Sequence, residues 1–182
     1  VGDGNALETT VANLDIDNAT SGNVEILESD GVNINKIAQA TAGDIDLEST
    51  TGVVTVVAGQ SGVTAAAAGT ITIFANGANN GQLAVNEFVT SDTGNITLRA
   101  DDDVTFAATG DVTSTSGNVE VTADFDNSVD QIGGALIMVD GTVIDAGSGT
   151  IALFADQSVV LGSVQTSSAA ATAISIESDN LA

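Results

Sequence analysis

The chain has 182 residues, about one domain, and carries 25 acidic side chains against only Lys36 and Arg99, a formal charge of −23. That balance makes nucleic acid a poor partner and disfavours anionic membrane surfaces, because both need basic groups. The absence of cysteine excludes disulfides, thiol catalysis and cysteine-ligated zinc, and no apolar run reaches the 18 residues that a spanning helix needs.

Residues 1–21 form an irregular opening that leads into a strand over Val11–Ile16. At Gly22 a cassette begins, Gly22-Asn-Val-Glu-Ile. It returns as Gly43-Asp-Ile-Asp-Leu, Gly69-Thr-Ile-Thr-Ile, Gly94-Asn-Ile-Thr-Leu, Gly117-Asn-Val-Glu-Val and Gly149-Thr-Ile-Ala-Leu, and without its glycine as Thr172-Ala-Ile-Ser-Ile. The starts lie 21, 26, 25, 23, 32 and 23 residues apart, the range of a solenoid or tandem array. The first interval adds a strand at Val32–Ile37. The second adds Val53–Ala58 and Val63–Ala67, and the third Gln82–Asn86 and Phe88–Thr90. The fourth adds Asp103–Ala107 and Asp111–Thr115, and is the most regular. The fifth carries an insertion, Asp124–Gly134, before Ala135–Val139 and Thr142–Asp145; the sixth adds Ser158–Leu161 and Ser163–Thr166.

The third and fifth cassette positions are Val, Ile or Leu in all seven copies, and the fourth is polar in six of them. This alternation predicts a strand with one buried face. Gly, Asp and Asn separate the short strands and supply corners. Three short strands per turn, in about seven coils, describe an all-β fold, a parallel β-helix or β-solenoid. Hydrophobic residues are 43% of the chain, but aromatics only 3%, which suits a narrow interior of stacked Val, Ile, Leu and Ala. Proline is absent, as expected where nearly every segment is paired on both sides. Residues 1–182 read as a single module, one segment of a longer repetitive array or fibre. The first residue is Val, so either a leader has been removed or the chain is an excerpt.

Gly94-Asn-Ile-Thr-Leu-Arg-Ala-Asp, Asp103-Val-Thr-Phe and Gly110-Asp-Val-Thr-Ser-Thr-Ser-Gly-Asn-Val-Glu-Val-Thr-Ala resemble the repeats of very large bacterial surface proteins, the filamentous-haemagglutinin-like and β-strand-repeat group. Gly141-Thr-Val-Ile-Asp-Ala-Gly-Ser-Gly-Thr-Ile-Ala-Leu and Val160-Leu-Gly-Ser-Val are similar to the same group, and Glu8-Thr-Thr-Val-Ala-Asn-Leu resembles a segment that opens a repeat block in some members. The resemblance implies a secreted, right-handed parallel β-helix at the cell surface, used as an adhesin stalk or structural fibre. It implies no catalytic residues.

The eighth cassette position is Asn76, Asp101, Asp124, Asp156 and Asp179 in five copies. Turn chemistry explains such a column, since Asp and Asn accept backbone hydrogen bonds at corners. A ladder of bound cations is the sharper reading. In the insertion, Asp124, Asp126, Ser128 and Asp130 occupy positions 1, 3, 5 and 7 of a calcium-loop pattern. Val129 stands where an EF-hand has Gly and Ala135 where it has Glu, so the match is partial and calcium is the candidate cofactor. Asp101-Asp102-Asp103 offers carboxylates for a polysaccharide-acting enzyme. Histidine is absent and only Lys36 and Arg99 are basic, so little of the inventory that holds and cleaves an anionic sugar is present, and the chain reads as non-enzymatic. Thr-x-Thr pairs at Thr70/Thr72 and Thr113/Thr115, with Thr55, suggest an ice-binding array, but the fourth-position column has Thr only at Thr72 and Thr97. Phe74 and Phe154 share an outward position, either as a contact face or as a seat for a neighbouring loop.

The function expected is a non-enzymatic extracellular structural module, a fibre or adhesin stalk built by head-to-tail stacking. Its partner is then itself, with Val11, Leu14 and Ile16 of one molecule stacking on Ile174 and Ile176 of the next. The alternatives are a calcium-dependent adhesin whose side loop binds a glycan or protein, and a β-helix enzyme acting on polysaccharide.

Overall fold

In the computed structural model the described residues are 1–2, 4–77, 79–126 and 133–178. They form twenty β-strands and no helix, so among them no helix is long and apolar enough to cross a membrane. The first coil holds β1 (Leu7–Thr9) and β2 (Asn13–Asn18), and the second β3 (Val24–Glu28) and β4 (Val32–Gln39). The third holds β5 (Ile45–Ser49), β6 (Val54–Val56) and β7 (Gly62–Ala65); the fourth β8 (Ile71–Ala75), β9 (Leu83–Val85) and β10 (Val89–Ser91). The fifth holds β11 (Ile96–Ala100), β12 (Val104–Phe106) and β13 (Val112–Ser114); the sixth β14 (Val119–Ala123), β15 (Ala135–Met138) and β16 (Val143–Asp145). The seventh holds β17 (Ile151–Ala155), β18 (Ser158–Val160) and β19 (Ser163–Gln165), and β20 (Ile174–Ser178) begins an eighth.

Every pairing is parallel and joins one coil to the next. The cassettes stack as β1-β3-β5-β8-β11-β14-β17-β20. At about 4.8 Å per rung this face is about 35 Å long. The other two faces separate only from the third coil onward. In the first two coils they are one strand each. β4 pairs β6 through Val32–Ile34 and β7 through Lys36–Gln39, and Asn35 is the extra residue where the register against β2 shifts. Three strands per coil therefore hold from coil three, while coils one and two turn the same corner with a single bent strand.

The alternation lands as the pattern predicts. Val24, Ile26, Ile45, Leu47, Ile71, Ile73, Ile96, Leu98, Val119, Val121, Ile151 and Leu153 are all buried, and Thr97, between Ile96 and Leu98, faces outward at intermediate exposure. Ile174 and Ile176 keep the register, opposite Ile151 and Leu153, but are each 41% exposed, and among the described residues no strand stacks beyond them. β1 extends the stack one coil before the first glycine cassette, with Leu7 opposite Ile26.

The cassette glycine has a steric cause. A Cβ at Gly43, Gly69, Gly94, Gly117 or Gly149 would lie 2.3, 2.3, 2.1, 1.9 or 2.1 Å from the carbonyl oxygen of the glycine one coil earlier. Only glycine permits that approach. The second position has a hydrogen-bonding cause. Backbone N–H groups of Asp44, Thr70, Asn118 and Thr150 donate to the side-chain oxygens of Asn23, Asp44, Asn95 and Asn118 one coil earlier, at 3.0, 2.8, 2.8 and 2.9 Å. Inside the same corner, Ser91 and Ser114 hydroxyls donate to Gly69 and Gly94 carbonyls and accept from Gly94 and Gly117 N–H groups.

Candidate functional site

The surface that departs from the repeat is the corner after the cassette strand, where the insertion leaves. Asp124 opens it with φ 58°, a left-handed conformation that Asp tolerates better than most residues. Phe125 then folds back over the outward face of the sheet. Its ring meets Phe74 edge-on at 5.2 Å between centroids, and the Arg99 guanidinium lies 4.4 Å above it. Arg99 also holds Glu120 at 2.9 Å. Of the two roles open to Phe74, the seat for a neighbouring loop is the one occupied. Phe154 is two rungs beyond Arg99 in the same outward column, through Thr122. Phe154 lines an open groove of about 150 Å³ with Thr122, Asp124, Asp156 and Glu177.

The expected corner column holds only in part: the Asn76 and Asp101 N–H groups donate to the Ser49 and Ala75 carbonyls one coil earlier, whereas in the next coil Phe125 N–H takes the Ala100 carbonyl and Asp124 N–H turns to the Asp102 carbonyl. At Asp101 the turn chemistry is visible: the Gly77 N–H donates to Asp101 Oδ2 at 2.7 Å. Asp101 is only 3% exposed and its Oδ1 is buried without a hydrogen-bond partner. Burial raises its pKa, the Gly77 hydrogen bond opposes that rise, and the Asp126 and Glu48 charges add to it. Asp46 on the sheet face is also raised, by burial first and then by Glu48, Glu25 and Asp44. Of the calcium-loop residues, Asp124 and Asp126 are described, whereas Ser128 and Asp130, like Asp179 of the corner column, lie outside the described residues. Among the described residues no three carboxylates are grouped as a metal-ligand set.

Asp101, Asp102 and Asp103 do not form an open acid–base pair. Asp101 and Asp102 are buried, and Asp103 Oδ1 accepts the Ala135 N–H at 2.9 Å. The threonines form a short ladder on a different face from the one the cassette suggests: Thr64, Thr90 and Thr113 stack in register between Ala38 and Asp145. Both basic side chains are engaged, Arg99 as above and Lys36 with Asp17 at 2.5 Å.

At the axial ends, Val11 is 39% exposed and Ile16 is half-buried against the core, while Leu14 is buried within the first coil. Leu7, in the inward column opposite Ile26, is 48% exposed and is an uncovered core position like Ile174 and Ile176; Val160, 51% exposed, lies instead in the outward column of Thr105 and Ile137, and Leu161, 44% exposed, follows the end of β18. A further residue escapes the cassette reading. Glu28 points inward and is fully buried. It accepts Thr9 Oγ1 at 2.6 Å and the backbone N–H groups of Val11 and Ser29, and so ties the opening coil to the second. The signal is in the seventh cassette position, which reads Glu28, Ser49, Ala75, Ala100, Ala123, Ala155 and Ser178. A single long acid in a column of small residues marks it.

No family model matches the chain, and no curated protein or solved structure matches it.

Proposed function

We propose that the chain is a non-enzymatic structural module of an extracellular, cell-surface fibre or adhesin stalk, extended along its axis by head-to-tail stacking of coils. One observation carries this reading. β20 repeats the core register of β17, yet Ile174 and Ile176 remain 41% exposed, as does Leu7 at 48% in the opening coil. Core residues in register and uncovered are the same surface that joins each coil to the next within the molecule. A further coil, from the same polypeptide or from a second molecule, completes them, and such a contact does not close on itself. The sequence resemblance to β-strand-repeat surface proteins supports the same placement.

The test is to compare the unaltered chain with Ile176→Lys and Ser175→Pro by sedimentation and electron microscopy over a wide concentration range. The expectation is concentration-dependent rods that both substitutions abolish. A protein that stays monomeric at high concentration, from a source with neither filaments nor tandem modules, ends the fibre reading. A second reading, a calcium-dependent adhesin that binds a glycan or protein through its side loop, is favoured by the insertion at Asp124 and Asp126, whose Phe125 stands 41% exposed on the sheet. Calorimetric titration with calcium, followed by a glycan-binding screen, tests it; silence in both removes it.

A further inference from the structure

The insertion displays what an exposed ring on this face does with a cation. Phe125 lies under the Arg99 guanidinium at 4.4 Å, and that guanidinium holds the Glu120 carboxylate at 2.9 Å. Ring, cation and carboxylate form one unit. Two rungs along the column of Arg99, Phe154 borders the open groove with Thr122, Asp124, Asp156 and Glu177. Ring and carboxylates recur there, and Ser175 Oγ steadies Glu177 at 3.2 Å. The cation does not recur. The chain has only two basic side chains, and Lys36 and Arg99 are both ion-paired elsewhere.

We propose that the Phe154 groove docks the basic side chain, arginine or lysine, of a partner polypeptide. The ring lies beneath the cation, and Asp156 and Glu177 lie beside it. Charge complementarity selects the occupant. A chain at −23 steers cationic segments toward itself and repels anionic glycans and nucleic acid. A neutral sugar would stack on the ring but gain little from the carboxylates. The groove is on the lateral face, so the proposal stands or falls independently of axial stacking.

The probe is a tetra-arginine peptide blocked at both ends, with tetra-citrulline as its uncharged isostere, titrated at physiological ionic strength and followed by amide NMR shifts. Saturable shifts confined to the Thr122, Ala155 and Glu177 region are expected with arginine and none with citrulline. Phe154→Leu keeps an outward apolar side chain but loses the ring, and should weaken binding about two- to fivefold. Glu25→Gln, on the same sheet face but outside the groove, should change it far less. Equal weakening by both variants, shifts spread over the whole acidic surface, or equal binding of citrulline would each overturn the proposal.

Discussion

Gly117→Ala tests the steric origin of the repeat at the point where the coils approach most closely. An added Cβ would lie 1.9 Å from Gly94 O, 2.3 Å from Gly94 C and 2.8 Å from Asn95 N. All three are backbone atoms, so no side chain can swing aside. To reach ordinary contact, coils five and six must part by more than about 1 Å where strands normally stack about 4.8 Å apart. That displacement strains three hydrogen bonds: Gly117 N–H to Ser114 Oγ at 2.9 Å, Ser114 Oγ–H to Gly94 O at 2.9 Å, and Asn118 N–H to Asn95 Oδ1 at 2.8 Å. Each contributes about 0.5–1.5 kcal/mol net, and overpacking a tight site costs about 1–3 kcal/mol. The lower chain entropy of the unfolded alanine variant offsets about 0.4–1 kcal/mol. The expected loss is about 2–5 kcal/mol, read as a lower urea midpoint with faster hydrogen exchange at Gly117 and Asn118. Gly59→Ala is the control: nothing lies within 4 Å of its added Cβ, and φ is +72°, so it carries only the backbone penalty of about 1–2 kcal/mol. If Gly117→Ala melts no lower than Gly59→Ala, close approach is not why the cassette begins with glycine.

Glu28→Ala should loosen the opening coil by about 1–3 kcal/mol, with faster amide exchange across residues 7–18 and unchanged exchange beyond coil three; uniform destabilisation would show that Glu28 does not act as a local tie. Asp101→Asn should stabilise the protein at neutral pH, because the raised pKa of Asp101 makes its native state bind more protons than the unfolded chain. Stability therefore falls as pH rises from the ordinary value of 3.8 through the raised folded value, and the advantage of the variant should vanish below that window; a constant difference across pH would refute the assignment. Millimolar calcium should raise the melting temperature through binding to the native state, and identical melts in calcium and chelator at matched ionic strength would remove that role.

The coil architecture was legible because its cause is local and repeated. Ile96-Thr97-Leu98 names its own faces by alternation, and six glycines at one offset locate a corner. The hydrogen-bonded second position, Asn23, Asp44, Asn95 and Asn118, is equally readable once the column is written out. β1 is less legible, since Leu7–Thr9 has one apolar residue in three, and Gly2 and Gly4 flank the cassette glycine's offset without occupying it. The bend of β4 is legible only in part: the apolar pattern marks Val32–Ile37, and Asn35 resembles any other corner residue. Least legible was the insertion. No periodicity governs it, so the placement of Phe125 between Phe74 and Arg99 follows from three-dimensional proximity across coils that sequence spacing does not encode. Glu28 is legible in another way: the alternation of the cassette continues to its seventh position, where one long acid stands in a column of Ser and Ala.

The corners absorb every difference in repeat length. Between Gly22 and Gly43 one residue, Asn35, turns the second corner, while the 32-residue interval after Gly117 accommodates the whole insertion, yet the strands on either side keep their rungs. Evolution along such a chain is quantised. Adding or removing one residue within a strand would exchange its inner and outer faces and ruin the rod. Adding or removing a whole coil would lengthen or shorten it by one rung of about 4.8 Å and leave its cross-section alone. Reach is thus a heritable variable that can be tuned in steps, separately from stability and from whatever the corners display.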